Sequence, residues 1–266
     1  MTRIAIFGAT GRMGQTLIRL ITDDADLELV GAATEPGHAD IGSDAGSTAG
    51  VRSLGVVITD DTSAAVSNAD VAIDFTLPAA AQSNLASCVE HGVALVMGTT
   101  GLSADDDAAL KGAAGSIAVL YGRNMSVGVN LLSELARLAG KSLGTEYDIE
   151  IKEAHHRNKV DAPSGTALQL GESVAQGRGL ALDSVAVYER HGIGESRTPG
   201  SIGFSSVRAG NIVGDHTVLF AADEEIIELR HRALDRAVFA RGALRAATWI
   251  AGRQAGFYTM NDVLEL

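Results

Sequence analysis

The sequence predicts an α/β protein, a doubly wound parallel sheet followed by a second α+β domain with a mixed open sheet. Three observations carry this. A compact apolar run, Arg3 to Phe7, meets a glycine loop and then a helical pattern. Strand-like and helix-like runs then alternate as far as Tyr121. Beyond residue 200, three strand-like runs follow one another with only turn residues between them.

Taken in order, Leu17, Ile18 and Ile21 mark the first helix and Leu27 to Ala33 the second strand, which completes a βαβ unit. Val71 to Phe75 reads as a strand, Ala79 to Glu90 as a helix and Val93 to Met97 as a strand. Ser103 is an N-cap, with acidic residues in the turn it opens. Ile117 to Tyr121 is a further strand. Near residue 125 the pattern changes. Leu131, Leu132, Leu135, Leu138 and Ala139 recur at helical spacing, Tyr147 to Lys152 alternates like a half-buried strand, and a helix runs from Ser164 to Ala175. Ile202 to Val207, His216 to Phe220 and Glu225 to Arg230 are the three late strands, and Asp235 to Ile250 is a last helix. The domain boundaries that follow are 1–126, 127–234 and 235–266, the last a C-terminal helix returning to the first domain.

Composition excludes several classes. The 266 residues include 46% hydrophobic and 20% charged positions, the balance of a globular chain. A net charge of −12 repels phosphate backbones and anionic lipid, so neither nucleic acid nor membrane is an expected partner. It equally repels an anionic substrate, which would need a local cluster of cations. The single cysteine, Cys88, allows no internal disulfide and no Cys-rich metal site. It sits within a helical pattern and reads as a small core residue, and no metal site is expected. No signal peptide or membrane span is visible, so the chain reads as cytoplasmic.

Gly8-Ala9-Thr10-Gly11-Arg12-Met13-Gly14 lies between a strand and a helix. Backbone N–H groups of such a loop can approach a pyrophosphate, and the helix N-terminus favours its charge. The spacing is G-x-x-G-x-x-G, so the assignment rests on context. Glu35 supplies that context, 21 residues past Gly14 and just beyond the second strand. A carboxylate there accepts the ribose hydroxyls of NADH and repels the extra phosphate of NADPH. Pro36 follows, with no basic residue beside it, although Arg12 could reach a 2′-phosphate. NADH, NADPH or both are therefore expected, with NADH favoured, on a Rossmann-type sheet. Gly98-Thr99-Thr100-Gly101 ends another strand, where open α/β sheets bind ligands. Tyr121 to Met125 leads out of the sheet as hinge, cofactor contact or linker.

Glu153-Ala154-His155-His156-Arg157-Asn158-Lys159-Val160-Asp161-Ala162-Pro163-Ser164-Gly165-Thr166 concentrates positive charge in this acidic chain. Its downstream half reads as a helix start, a further site for anions. Cations and a helix N-terminus together suit carboxylates. Reduction of a C=C or C=N bond needs a hydride donor and a proton donor, and histidine can be the latter near neutral pH. Arg157 and Lys159 are expected to be the charges acting on His155. His216 and His231 fall in strand patterns and read as structural or interfacial.

These residues resemble the 4-hydroxy-tetrahydrodipicolinate reductase (dihydrodipicolinate reductase) family over nearly the whole chain. Glu153 to Ala167, E-A-H-H-R-N-K-V-D-A-P-S-G-T-A, is the most specific element. Gly8 to Gly14, Gly42 to Gly46, Gly98 to Gly101, Asn124 to Asn130, Phe239 to Ala243 and Trp249 support it. The resemblance implies that His155 donates or accepts a proton and that Lys159 is the second catalytic donor. It implies that His156, Gly165 and Thr166 bind the carboxylates of a small dicarboxylate. It also implies cofactor contacts at Gly8, Ala9, Thr10, Gly11, Arg12, Met13, Glu35, Gly98, Thr99, Thr100, Gly122, Arg123, Asn124 and Met125. A homotetramer built by packing the second domains' sheets together, and a place in lysine and diaminopimelate biosynthesis, follow from the same resemblance. Pro36 and Leu77 stand where some members carry arginines. The rival readings are another NAD(P)-dependent imine, sugar or semialdehyde reductase, or a dinucleotide sensor without chemistry.

Overall fold

The structure, a computed structural model, describes residues 1–266. The chain forms two compact units, Met1–Ser126 with Ala237–Glu265, and Val127–Arg236 with Leu266.

The first unit opens with β1 (Thr2–Phe7), α1 (Arg12–Thr22) and β2 (Leu27–Ala33). The short α2 (Ala45–Thr48), β3 (Ile58–Thr59) and α3 (Thr62–Val66) follow, none of which the sequence pattern signals. Then come β4 (Val71–Asp74), α4 (Pro78–His91), β5 (Ala94–Met97), α5 (Ala104–Ala113) and β6 (Ala118–Tyr121). β4 and β5 are buried along their length and β1 from Ile4 to Phe7, as strands covered on both faces must be. On one side, Phe7, Ala72, Leu95 and Val119 pack with Val66, Leu85, Cys88 and Leu110. Cys88 is fully buried, and burial pushes its thiol pKa up, with the Asp74 carboxylate acting in the same direction. This is the environment of a core residue.

The second unit contains α6 (Val127–Ser142), β7 (Asp148–His155), α7 (Gly165–Gly177), β8 (Ala186–Val187), β9 (Ile202–Arg208), β10 (Gly214–Ala221) and β11 (Ile226–Ala233). Its sheet is mixed, in the order β11-β10-β7-β9-β8. β9 and β10 are consecutive in sequence, yet β7 lies between them, antiparallel to β10 and parallel to β9. Ile149, Ile151, Ile202, Phe204, Val218 and Phe220 face Ala167, Leu170 and Val174 of α7. Leu132 and Ala136 carry the inward face of α6, whereas Leu131, Leu135 and Leu138 are exposed. The helical spacing of those leucines marks the helix but not its buried side.

Ala237–Glu265 return to the first unit. α8 (Ala237–Ile250) packs on β4, β5, β6 and α1. β12 (Gly256–Tyr258), a strand the sequence pattern does not signal, then pairs parallel to β6 before α9 (Met260–Leu264). The finished sheet is all parallel, in the order β12-β6-β5-β4-β1-β2-β3. The order reverses between β1 and β4, where such sheets bind ligands beyond the carboxyl ends of their strands.

Candidate active site

Because β6, β5, β4, β1 and β2 are parallel neighbours, the loops after them share one edge. Gly8–Met13, Glu35, Gly98–Thr100 and Gly122–Met125 therefore lie along a single line. Gly8 takes φ +75°, a turn that L side chains resist. At Gly14 a Cβ would stand 2.2 Å from the Gly8 carbonyl oxygen, so α1 approaches the turn closely only because glycine is there. α1 starts at Gly11 without a side-chain cap and with no acidic residue in its first turn. α2, α3, α5 and α7 are capped by a side chain, while α4 begins uncapped at Leu77 with Pro78 as its first residue. The open N-terminus of α1 is left for an anion, which is the fit a dinucleotide pyrophosphate requires.

A hydroxyl chain joins this loop to the acidic residue. Thr34 Oγ1 donates to Glu35 Oε2 at 2.9 Å. A carboxylate can only accept, so Thr10 Oγ1, 2.6 Å away, must be the donor to Thr34. The backbone N–H of Glu35, then Thr34, pulls the Glu35 pKa down. An ionised Glu35 suits two ribose hydroxyls and opposes a 2′-phosphate.

The loop after β5 is held from behind. Asp74, fully buried, accepts from the Thr76 N–H (2.8 Å), Thr76 Oγ1 (2.7 Å), Asn84 Nδ2 (2.8 Å) and Thr99 Oγ1 (3.1 Å). Thr99 is therefore an anchor with its side chain turned inward, while Thr100 is exposed. Met125 is likewise buried, against Gly122. Arg123 is exposed and Asn124 half-buried, with Asn124 Oδ1 accepting from the Ser126 N–H at 2.8 Å.

In the second unit the core face of β7 runs Ile149, Ile151, Glu153, His155, so its last two inward positions are polar. His155 Nδ1 lies 2.5 Å from Glu153 Oε2. Arg208, on the next strand, donates to both oxygens of Glu153, at 2.8 and 2.7 Å. Burial pushes the Glu153 pKa up, but hydrogen bonds from His155, Arg208 and Ser206 overcome it and hold the group well below the usual carboxylate range. On the other neighbour, β10, the His216 ring meets that of His155 edge-on, with centroids 5.0 Å apart. His216 Nε2 lies 3.2 Å from Ser164 Oγ. Burial, then the nearby His155, lowers the His216 pKa to about 4, so it is neutral at pH 7.

The loop that follows carries His156 and Lys159. Lys159 Nζ pairs with Asp161 Oδ1 at 2.8 Å, and its N–H donates to the His156 carbonyl. Gly165 and Thr166 open α7, capped by Ser164, whose Oγ accepts from the Ala167 N–H at 3.2 Å. The ionic partner of His155 is thus an anion, Glu153, rather than Arg157 or Lys159 as the charge run suggests. Sequence reasoning also missed Arg208 and His216. The signal for His216 was its strand register, since it stands directly opposite Glu153. Arg208 left no comparable trace. Gly42 to Gly46, part of the resemblance, is structural. Asp44 caps α2 and accepts from Gly55 N–H, and these backbone bonds, Ser47 foremost, lower its pKa to about 2.

A dinucleotide-type sheet in one unit, and an imidazole–carboxylate pair beside a cationic loop in another, are the parts of a pyridine-nucleotide-dependent oxidoreductase. Sequence relatives narrow the class. Residues 2–125 match "Dihydrodipicolinate reductase, N-terminus" and residues 128–264 match "Dihydrodipicolinate reductase, C-terminus". The chain belongs to the dihydrodipicolinate reductase family. It is 53% identical over 265 residues to the 4-hydroxy-tetrahydrodipicolinate reductase of Alkalilimnicola ehrlichii, covering 100% of this chain and 99% of the relative. It is 52% identical over 267 residues to that of Chromohalobacter salexigens, with 100% and 99% covered. Among solved structures, dipicolinate-bound dihydrodipicolinate reductase from Paenisporosarcina sp. TG-14 superposes with TM-score 0.74 at 25% identity, over 97% of each chain.

Proposed function

We propose that this protein reduces 4-hydroxy-tetrahydrodipicolinate with NAD(P)H, giving tetrahydrodipicolinate, NAD(P)⁺ and water, as a step of lysine and diaminopimelate synthesis. Membership of the family supports the reaction. The observation that carries it is the buried His155–Glu153 pair at the end of β7, immediately before a cationic loop and a helix start. The residues of the Gly8–Met13 loop, Glu35, Gly98–Thr100 and Gly122–Met125 hold the dinucleotide, with Thr99 and Met125 acting through the backbone. When bound, the reduced nicotinamide supplies a hydride to the conjugated ring carbon that loss of water creates. His155 gives the proton that completes the reduction. His156, with Gly165 and Thr166 at the start of α7, binds ring carboxylates. Lys159, paired with Asp161 at 2.8 Å before substrate arrives, is the second catalytic donor. Glu35 makes NADH the preferred cofactor.

The open face of the second unit's sheet, where β11 exposes Ile226, Glu228, Arg230 and Arg232, supports a homotetramer built through that face. Light scattering would give four chains' mass if this holds and a single chain's mass if it does not. No helix is long and apolar enough to cross a membrane, and we place the protein in the cytoplasm.

The test of the reaction is oxidation of NADH, and separately of NADPH, at 340 nm with freshly generated cyclic imine. Turnover with a higher kcat/KM for NADH is expected. No turnover with either cofactor overturns the assignment, and a preference for NADPH overturns the role given to Glu35.

A further inference from the structure

Within the second unit one buried carboxylate joins groups on three elements: His155 on β7, Arg208 on β9 and Ser164 before α7. Glu153 has a side chain 1% exposed, and its two oxygens accept several hydrogen bonds, that of Ser206 among them. One comes from Arg208 to each oxygen, one from the Ser164 N–H at 3.2 Å, and one involves His155 Nδ1 at 2.5 Å. Arg208 also donates to the carbonyls of Val207 and Asp161, which fixes the guanidinium between β9 and the cationic loop. Such a forked guanidinium keeps a buried carboxylate ionised. An ionised carboxylate has no proton to give, so the short contact requires a proton on Nδ1 of the imidazole.

The other imidazole nitrogen has been left room. A Cβ on Gly214 would stand 3.3 Å from His155 Nε2, so the absence of a side chain at that position keeps Nε2 uncrowded. His216 approaches edge-on and is itself neutral at pH 7. The groups that face His155 are therefore Glu153 on its own strand, Arg208 on β9 and His216 on β10.

We propose that Glu153 is the positioning residue of this site. Its carboxylate holds the His155 proton on Nδ1, so that Nε2 is the nitrogen that exchanges a proton with the ring. The same carboxylate ties that imidazole to the first turn of α7, where the ring's carboxylates bind. This rests on the role given to His155 above and adds to it a tautomer, a reacting nitrogen and the group that selects both.

Two measurements test it. In the wild-type protein, long-range ¹H–¹⁵N NMR of imidazole nitrogens, with the His155 signals assigned through a His155→Asn variant, should show neutral His155 with its proton on Nδ1. A proton on Nε2, or an even mixture of tautomers, overturns the proposal. In Glu153→Gln, kcat should fall about 10–100-fold with the KM for NADH unchanged. In the same variant the His155 ¹⁵N signals should show the neutral ring's proton no longer confined to Nδ1. A kcat within about twofold of wild type with the Nδ1 tautomer retained overturns it. Should Glu153→Gln not fold, the wild-type NMR measurement decides alone. Absence of turnover in the wild-type protein would remove the proposed reaction and leave the tautomer measurement standing.

Discussion

His216 shows how far burial sets the chemistry of single residues here. It is 3% exposed, and its Nδ1 has no partner. Its pKa is about 4 when folded, against about 6.5 for a free histidine. The unfolded chain therefore binds the extra proton first as pH falls, and folding stability must drop. The loss begins near pH 6.5, is complete near pH 4, and amounts to roughly 3 kcal/mol. Urea titrations at pH 7.5 and 4.5 should show it, and a His216→Gln variant should show a smaller difference between the two. Equal stability at the two pH values in wild type would remove this account. His155 is the residue whose loss should cost most activity. His155→Ala should lower kcat about 10²–10⁴-fold while the NADH affinity, read by fluorescence titration, stays constant. Lys159 is engaged by Asp161, which is half exposed. Asp161→Asn should free the ammonium and lower the KM for the imine, and a raised KM would mean that Asp161 positions Lys159 for the substrate.

Among the elements, helix starts divide into two kinds. α5 is closed by a capping box in which Ser103 Oγ accepts from the Asp106 N–H and Asp106 returns a bond to the Ser103 N–H. Ser103→Ala should therefore cost about 1 kcal/mol in urea unfolding and leave NADH binding unchanged. α1 and α7 differ. α1 has no side-chain cap, and Ser164, the cap of α7, also faces His216 and gives its N–H to Glu153. Ser164→Ala should lose the cap and strand a buried imidazole nitrogen, about 2 kcal/mol together. It should also raise the KM for the imine, and a stability loss with unchanged KM would make Ser164 purely structural. β7 explains why its helix neighbour was easier to read than the strand itself. Its apolar alternation stops at Ile151, because the next inward positions are Glu153 and His155, and the sequence pattern ends the strand early although its pairing with β9 continues to His155.

For the whole molecule, the division into two units makes ligand effects separable. Each ligand should protect the unit that binds it, and the stabilisation at a concentration of 100 Kd is about 2.7 kcal/mol. Hydrogen exchange with NADH should slow residues 8–14, 34–35 and 98–100, and exchange with dipicolinate should slow residues 155–166. Protection of neither set would place the sites elsewhere. The charge distribution works at the same scale. A net charge of −12 disfavours a dianionic ring, and Arg157 and Lys159 beside the candidate site are local cations that oppose this. The KM for the imine should consequently rise with added salt, since screening weakens a cluster that acts against the overall field.

The sequence by itself determined the parallel sheet, the glycine loop with Glu35, and the segment from Glu153 to Thr166. Each is written in neighbouring residues, as runs of apolar side chains, as turn chemistry, or as a spacing that suits a phosphate or a carboxylate. Short elements such as β3 and β12 escaped, because two or three residues carry no period and gain their stability from the strand beside them. Only the tertiary structure decided that β7 lies between β9 and β10, and with that order which groups surround His155. Arg208 and His216 are 53 and 61 positions away from it in the chain, and ladder register puts them on the two flanking strands. The surroundings of a buried imidazole are set by what stands within a few ångströms of it, and that is a property of strand order, which no local pattern records.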